Sequence, residues 1–313
     1  MTSRNALARL LGTAALFLAP PALAQEAAPA PVAATPAPAP VEIVDADPAL
    51  WVVRDADTTI YLFGTVHLLR PGLSWFDEAV REAFDASDEL KIEVVLPEDV
   101  STIAPRFVAA GSYPAGTTLT SRMSPEQLTS YQAGLGRFGI PAAALDGYEP
   151  WFVSLSLAQG LYAAMGMTPD SGAEKTLTAT AAAAGKPITA FETVDDQLGF
   201  LDGTPESEQI GGLVMFFERA GEMRGFVDRL MTSWTEGKPE DTAVIMNEGM
   251  GESPETIRIM LTDRNRRWAD TLKARMDQPG TVFVAVGAGH LAGDNSVQTF
   301  LAERGLTAER VAY

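Results

Sequence analysis

Twice in this chain a β-rich apolar run ends in the pattern Gly-x-x-His. Tyr61-Leu62-Phe63 leads into Gly64-Thr65-Val66-His67, and Val284-Ala285-Val286 leads into Gly287-Ala288-Gly289-His290. Both segments run on toward helix, and the chain holds no other histidine. Strand, tight turn and helix in that order belong to an open α/β sheet, in which ligands bind beyond the carboxyl ends of the strands. Glycine there lets the chain turn sharply and brings backbone close to a bound group. The imidazole at the fourth position then projects into the crevice. Either histidine alone reads more simply as a satisfied loop or core residue. The shared pattern favours a joint site.

The remaining pattern fits such a sheet. Residues 50–54 and 59–63 are short β-rich runs separated by the hairpin turn Asp55-Ala56-Asp57. Residues 90–96, 187–191 and 308–312 read as further strands, and 281–286 is apolar throughout, as expected of a strand buried on both faces. Helical spacing marks 75–86 with Ser74 as cap, then 125–138, 151–165, 173–184, 207–235, 254–276, and 297–304 capped by Asn295. The expected fold class is α/β, with a central, mostly parallel sheet under helical cover. The surplus of helix, at about 97–185 and 194–278, makes an inserted helical cap.

The N-terminus reads as a processing signal. Arg4 and Arg9 form a short basic region, residues 10–19 are apolar but too few to span a bilayer, and Ala22-Leu23-Ala24 is a small-residue cleavage site. Residues 1–24 are therefore expected to be a signal peptide, the location periplasmic or secreted, with no membrane span after cleavage. Residues 25–40 are almost entirely Ala and Pro, an extended tether ending by residue 48. One domain, 49–313, follows.

Composition closes off other chemistries. The absence of Cys from all 313 residues removes disulfides, a Cys nucleophile and thiolate metal ligation. With 23 Lys and Arg against 41 Asp and Glu, the net charge is −18, which excludes a nucleic-acid backbone as partner. Residues 287–292 fit the dinucleotide fingerprint G-x-G-x-x-A, but too little chain follows to complete a nucleotide-binding half. No G-x-S-x-G nucleophile elbow is present.

Two acids stand where strands end. Glu93 lies late in Leu90-Lys91-Ile92-Glu93-Val94-Val95, where apolar neighbours imply burial and hence a partner. Glu192 directly follows Phe191 and reads equally as a ligand or as a carboxylate at a helix N-terminus. Two imidazoles with one or two carboxylates suit Zn²⁺, Mn²⁺ or Co²⁺. Arg264-Asn265-Arg266-Arg267-Trp268 is a basic knot in an acidic chain. It reads as a solvated helix face with Arg on Trp268, or as Arg264 and Asn265 binding an oxyanion or a substrate carboxylate.

Taken together, Tyr61 to His67, Glu93, Pro150-Trp151-Phe152, Glu192-Thr193-Val194, the stretch from Leu261 to Trp268 and that from Val286 to Gly293 resemble the TraB/GumN family. That family is related to the Tiki-type metalloproteases and, more remotely, to erythromycin-esterase and ChaN-like proteins. The resemblance runs from about Leu50 to the C-terminus. It implies an α/β core whose centre is built by both Gly-x-x-His segments and an acid, with Mn²⁺- or Co²⁺-dependent peptide hydrolysis as the activity of the Tiki branch. The positions it carries over are Gly64, His67, Glu93, Gly287 and His290, with Arg264 and Asn265 as further candidates. Gly172-Ala173-Glu174 stands where members commonly have Gly-Val-Asp, so a longer acid occupies that place.

The expected function is an exported metal-dependent hydrolase acting on a peptide or small molecule. His67, His290 and Glu93 would hold Mn, Co or Zn; Glu192 or Glu174 would be the general base; Arg264 would stabilise the oxyanion, with Asn265 beside it. Two alternatives use the same residues. One is a periplasmic haem- or metal-binding protein without turnover, and the other a metal-independent ester hydrolase with His67 as general base.

Overall fold

The computed structural model describes residues 43–97, 99–250 and 253–312. The expected signal peptide and most of the Ala/Pro tract lie outside the described residues. Among the described residues there are eight strands: β1 (Val44–Asp45), β2 (Leu50–Arg54), β3 (Thr58–Thr65), β4 (Leu73–Ser74), β5 (Glu89–Val94), β6 (Ile188–Glu192), β7 (Gly280–Gly287) and β8 (Glu309–Arg310). Six of them form one sheet in the order β6-β5-β7-β3-β2-β8. The pairs β6/β5, β5/β7 and β7/β3 are parallel, and β2 runs antiparallel to both neighbours. The fold is α/β with a largely parallel central sheet.

β7 is the centre of this sheet because its sequence can be buried on either side. Val282, Val284 and Val286 face one layer, packing with Trp268, Leu272 and Phe300. Phe283 and Ala285 face the other, with Phe63, Phe84 and Leu177. None of the five strand residues is more than 1% exposed. At about 1.5–3 kcal/mol for each large side chain fully buried, this strand anchors both layers. Helices α1 (Glu78–Ala86) and, further on, α5 (Ala173–Ala183) cover the aromatic layer, while α11 (Asp263–Arg275) and α12 (Val297–Glu303) cover the valine layer.

The other helices are α2 (Ala104–Ala110), α3 (Pro125–Phe138), α4 (Pro150–Ala164), α6 (Val194–Asp202), α7 (Glu206–Glu218), α8 (Met223–Thr235), α9 (Pro239–Met250) and α10 (Pro254–Ile257). α3, α4 and α7 bury Tyr131, Leu135, Val153, Leu157, Leu213 and Phe217 in a core of their own. They come from both the β5–β6 and the β6–β7 connections. α3 carries its sequence signature in full: a Ser124/Gln127 capping box, Pro125 in the first turn and Gly139 at φ 69° after the last. No helix among the described residues is long and apolar enough to cross a membrane.

Several local expectations change. The helical run at 207–235 is broken between α7 and α8 by a turn at residues 219–222. The run at 254–276 stays helical, but Arg258–Thr262 winds as a π-turn between α10 and α11. Ser296, not Asn295, caps α12 by accepting from the Thr299 N–H. Asp77 precedes α1, and Ser74 bonds to Asp77 instead of capping. The last stretch of the expected tether joins the fold: β1 pairs with β4 in parallel, the Asp47 N–H donates to the Thr235 carbonyl at 2.8 Å, and Ala46 is buried among the aromatics.

Where α4 begins, Glu149 meets Asp202 at the end of α6. Burial, the hydrogen bond shared with Asp202 and that residue's charge push the Glu149 carboxyl up to about 7. The folded state thus keeps a proton that the unfolded chain releases near 4.5. The stability it confers is complete below 4.5 and is lost as pH rises through 7. Asp202→Asn removes the like charge, so the variant should lose less Tm than wild type between pH 5 and pH 8. Parallel melting curves in that interval would refute the shared proton.

Candidate functional site

Because β3, β5, β6 and β7 are parallel neighbours, their carboxyl ends share one edge of the sheet. Gly64 pairs with Val286 and Thr65 with Gly287, so the two Gly-x-x-His turns leave adjacent strands one residue apart in register. Glu93 lies in the last turn of pleat of β5, and Glu192 closes β6 opposite Val94. The sheet therefore brings both histidines and both acids to one edge. A Cβ on Gly287 would sit 3.1 Å from Glu93 Oε1, and the bare backbone instead donates its N–H to that oxygen at 2.7 Å.

His290 is fixed on every side. Its side chain is 7% exposed and its ring lies 4.4 Å from that of Trp268. Nδ1 is 2.5 Å from Asn265 Oδ1. The Asn265 amide orientation follows from its NH₂ group, which donates to the Asn295 carbonyl at 2.7 Å and to the His290 carbonyl at 3.3 Å. Oδ1 must then accept, so the proton is on His290 Nδ1 and the lone pair on Nε2. Burial drives this imidazole down to about 3, against the pull of Glu93 and with Arg264 and His67 assisting. At neutral pH it is uncharged.

His67 is held differently. It sits on the rim with 70% of its side chain open, and Nδ1 donates to Glu174 Oε1 at 2.6 Å. The same oxygen accepts from the Thr65 hydroxyl. The hydrogen bond to Glu174 and that residue's charge raise His67 to about 9. Glu174 Oε2 is buried and has no hydrogen-bond partner among the described residues. Helix α5 delivers this acid because the Ala173 N–H donates to the Val66 carbonyl at 3.0 Å.

The carboxylates and Arg264 form one network. Glu93 Oε2 accepts from Arg264 Nη2 at 2.6 Å and from Gln197 Nε2 at 3.2 Å. Glu192 accepts from Arg264 Nε and Nη2 at 2.9 and 2.8 Å, from Trp268 Nε1 at 3.0 Å and from Gln197 at 3.3 Å. The remaining Arg264 nitrogen, Nη1, donates to the Met260 carbonyl inside the π-turn at 3.0 Å. A π-turn leaves carbonyls without their ordinary partners, and the side chain it displaces satisfies one of them. Phe200 and Trp268 flank the guanidinium at 5.1 and 4.9 Å. Burial opposes the charge on Glu93, but His290, Arg264, His67 and the Gly287 N–H together hold its carboxyl down at about 2.

The basic knot thus divides by helix face: Arg264, Asn265 and Trp268 point in, Arg266 and Arg267 out. The expected contact of Arg with Trp268 is present, one turn beyond Arg264, but on a buried face and not a solvated one. Gln197 could not have been read from spacing, since nothing in its neighbourhood distinguishes it from a surface glutamine.

Among the described residues, no three His, Asp or Glu side chains already stand gathered as a metal cage. The donor chemistry nevertheless fits an ion. His290 Nε2 and Glu93 Oε1 face each other at 3.7 Å. Both are acceptors, with no proton between them, and ligand bonds of about 2.0–2.2 Å would fit that gap. His290 has its Nδ1 committed to Asn265, the arrangement that leaves Nε2 to a metal, whereas His67, raised to about 9, must release its Nε2 proton before it can act as a ligand.

The sequence model of the TraB/PrgY/gumN family matches residues 49–310. The chain is also similar to the uncharacterized protein YbaP of Escherichia coli, 23% identical over 257 residues, covering 81% of this chain and 92% of that protein. An uncharacterized protein of Treponema pallidum is 24% identical over 274 residues, covering 82% of this chain and 80% of its own length. No solved structure matches. With that model spanning both Gly-x-x-His turns and every acid of the network, the chain belongs to the TraB/PrgY/gumN family.

Proposed function

We propose that the protein is a metal-dependent hydrolase whose cleft takes one divalent ion, Mn²⁺, Co²⁺ or Zn²⁺, on His290, Glu93 and His67. The observation that carries this reading is the pair of lone pairs, His290 Nε2 and Glu93 Oε1, held 3.7 Å apart with a cation-sized gap and no donor between. When bound, such an ion supplies Lewis-acid activation of water near neutral pH. The chain's own residues do the rest. Asn265 keeps the proton of His290 on Nδ1. Glu174 does the same for His67, and its unpartnered Oε2 is the acceptor to which this reading assigns the proton of water. The base is therefore Glu174 and not Glu192, whose oxygens are taken up by Arg264, Trp268 and Gln197. Arg264 acts as a positioning residue for Glu93, since the guanidinium is already spent on two carboxylates and a carbonyl. The leader pattern in residues 1–24 supports an exported location, and a peptide is the first substrate to test.

Protein dialysed against EDTA should gain thermal stability with Mn²⁺, Co²⁺ or Zn²⁺, by about 2.7 kcal/mol at a hundredfold excess over Kd. His290→Gln should abolish the gain, and reloaded wild type should cleave a peptide library. If no ion shifts the melt and none is found by elemental analysis, the reading fails. Full ester hydrolysis in EDTA would select His67 as a metal-free base. Haem uptake with a Soret band and no turnover would select a binding protein.

A further inference from the structure

A cavity of about 390 Å³ opens beside the His67 loop, between residues 69–76 and the start of α5. Its size falls within the range of small-molecule sites, roughly 300–1,000 Å³. Neither Gly-x-x-His imidazole lines it, and no part of the Arg264 network does. Its chemistry is divided among three kinds of wall.

The cationic wall is Arg70. Asp228 engages its Nη2 at 2.6 Å, and the two side chains are 42% and 46% exposed. A half-exposed pair of this kind is weakly held, and two more edges of the guanidinium remain for a second carboxylate. The apolar wall is Leu73, Trp75 and Phe76. Trp75 is anchored by stacking on Phe63 at 5.4 Å, and Phe76 leans on Trp75 at 5.3 Å, so the platform is rigid. The third wall carries hydroxyls of opposite sense. Ser171 Oγ accepts from Thr168, which leaves its own O–H to donate. Thr176 Oγ1 donates to the Gly172 carbonyl, which leaves its lone pairs to accept.

We propose that this cavity binds an N-acylated amino acid with an apolar side chain, the chemistry of a peptide's C-terminal residue. The carboxylate pairs with Arg70, the side chain lies on Leu73 and Phe76 with Trp75 buried behind them, and the amide meets Ser171 with its carbonyl and Thr176 with its N–H. This assignment stands without the metal reading, because no proposed metal donor takes part in it.

The test is calorimetric titration of the EDTA-dialysed full chain with N-acetyl-L-leucine and N-acetyl-L-phenylalanine. Comparison ligands are the corresponding C-terminal amides, which lack the carboxylate, and octanoate, which lacks the amide. Saturable binding of the acids is expected, with the amides and octanoate each about tenfold weaker or worse. Arg70→Gln and Thr176→Leu should each weaken the acids by a similar factor. Asp228→Asn, which frees Arg70 from its competitor, should bind them at least as tightly as wild type, and His290→Gln should bind them unchanged. Equal affinity for acid and amide, an unchanged Arg70→Gln, or no saturable binding by wild type would overturn the assignment. Octanoate binding as tightly as N-acetyl-L-leucine would overturn it in favour of a fatty-acid site.

Discussion

Arg264→Leu should cost the protein about 3–5 kcal/mol, the range found when one partner of a buried charge network is removed. Glu93 and Glu192 are 12% and 4% exposed, and among the described residues Arg264 is the one cation that touches both. Without it, two carboxylates share a dry site with Gln197 as their remaining bridge, and the Met260 carbonyl in the π-turn loses its donor. For a domain of this size the loss corresponds to roughly 6–20 °C in Tm. The variant should also recover as pH falls, since unpaired buried carboxyls take up protons near neutrality. Wild type should draw no such recovery from Glu93 between pH 8 and pH 5. Its Glu93 is held at about 2, so the stability that group confers is present above 4.5 and lost as pH falls toward 2. Adding Glu192→Leu to Arg264→Leu should restore part of the loss, because charge and counter-charge then leave together. Thermal melts of the three proteins at pH 5 and pH 8 decide it. A single variant melting within about 2 °C of wild type at pH 8 would show that the network carries no stability.

How much of this could be read beforehand depends on whether the determining interaction is local. The apolar run at 281–286 has no polar face, so it had to be a central strand, and β7 is one. Strand followed by Gly-x-x-His, used twice, put both imidazoles at the same end of a parallel sheet, and the pairing of Gly64 with Val286 delivers them there. The capping box of α3 is equally local, lying within four residues. Other features depend on contacts that spacing does not encode. β1 exists because Val44 and Asp45 meet Leu73 and Ser74, and a two-residue strand has no periodicity of its own. The π-turn is invisible in a 3.6-residue pattern, since one extra residue merely shifts the phase of the helix, and its reason is the placement of Arg264 between Glu93 and Glu192. Glu192 was balanced between cap and ligand. Thr193 caps α6, while the Glu192 oxygens accept from Arg264, Trp268 and Gln197, partners that spacing does not reveal. Thr65 and Gln197 entered the site through partners more than 100 positions away.

The sharpest steric test concerns Gly172. Its φ of −63° and ψ of 148° suit any residue, so conformational freedom is not why glycine stands there. The reason is approach. A Cβ at this position would lie 2.1 Å from the His67 carbonyl oxygen, 2.9 Å from its carbon and 3.0 Å from the Pro169 oxygen. All three are backbone atoms, so no rotamer change can relieve the overlap. Gly172→Ala must therefore push α5 away from the His67 turn, break the bond from the Ala173 N–H to the Val66 carbonyl, and withdraw Glu174 from both His67 and Thr65. The expected loss is about 3 kcal/mol, the upper end for overpacking, because strain and a broken buried network add. Gly211→Ala is the control: Gly211 lies within α7 with nothing inside 4 Å of its added Cβ, so that change should raise stability by about 0.5–1 kcal/mol. Loss of the metal-induced stabilisation should accompany Gly172→Ala even at temperatures where the variant is folded, and should be absent from Gly211→Ala. A Gly172→Ala protein that melts with wild type and still responds to Mn²⁺ would mean that the contact between α5 and the His67 turn does not hold the site together.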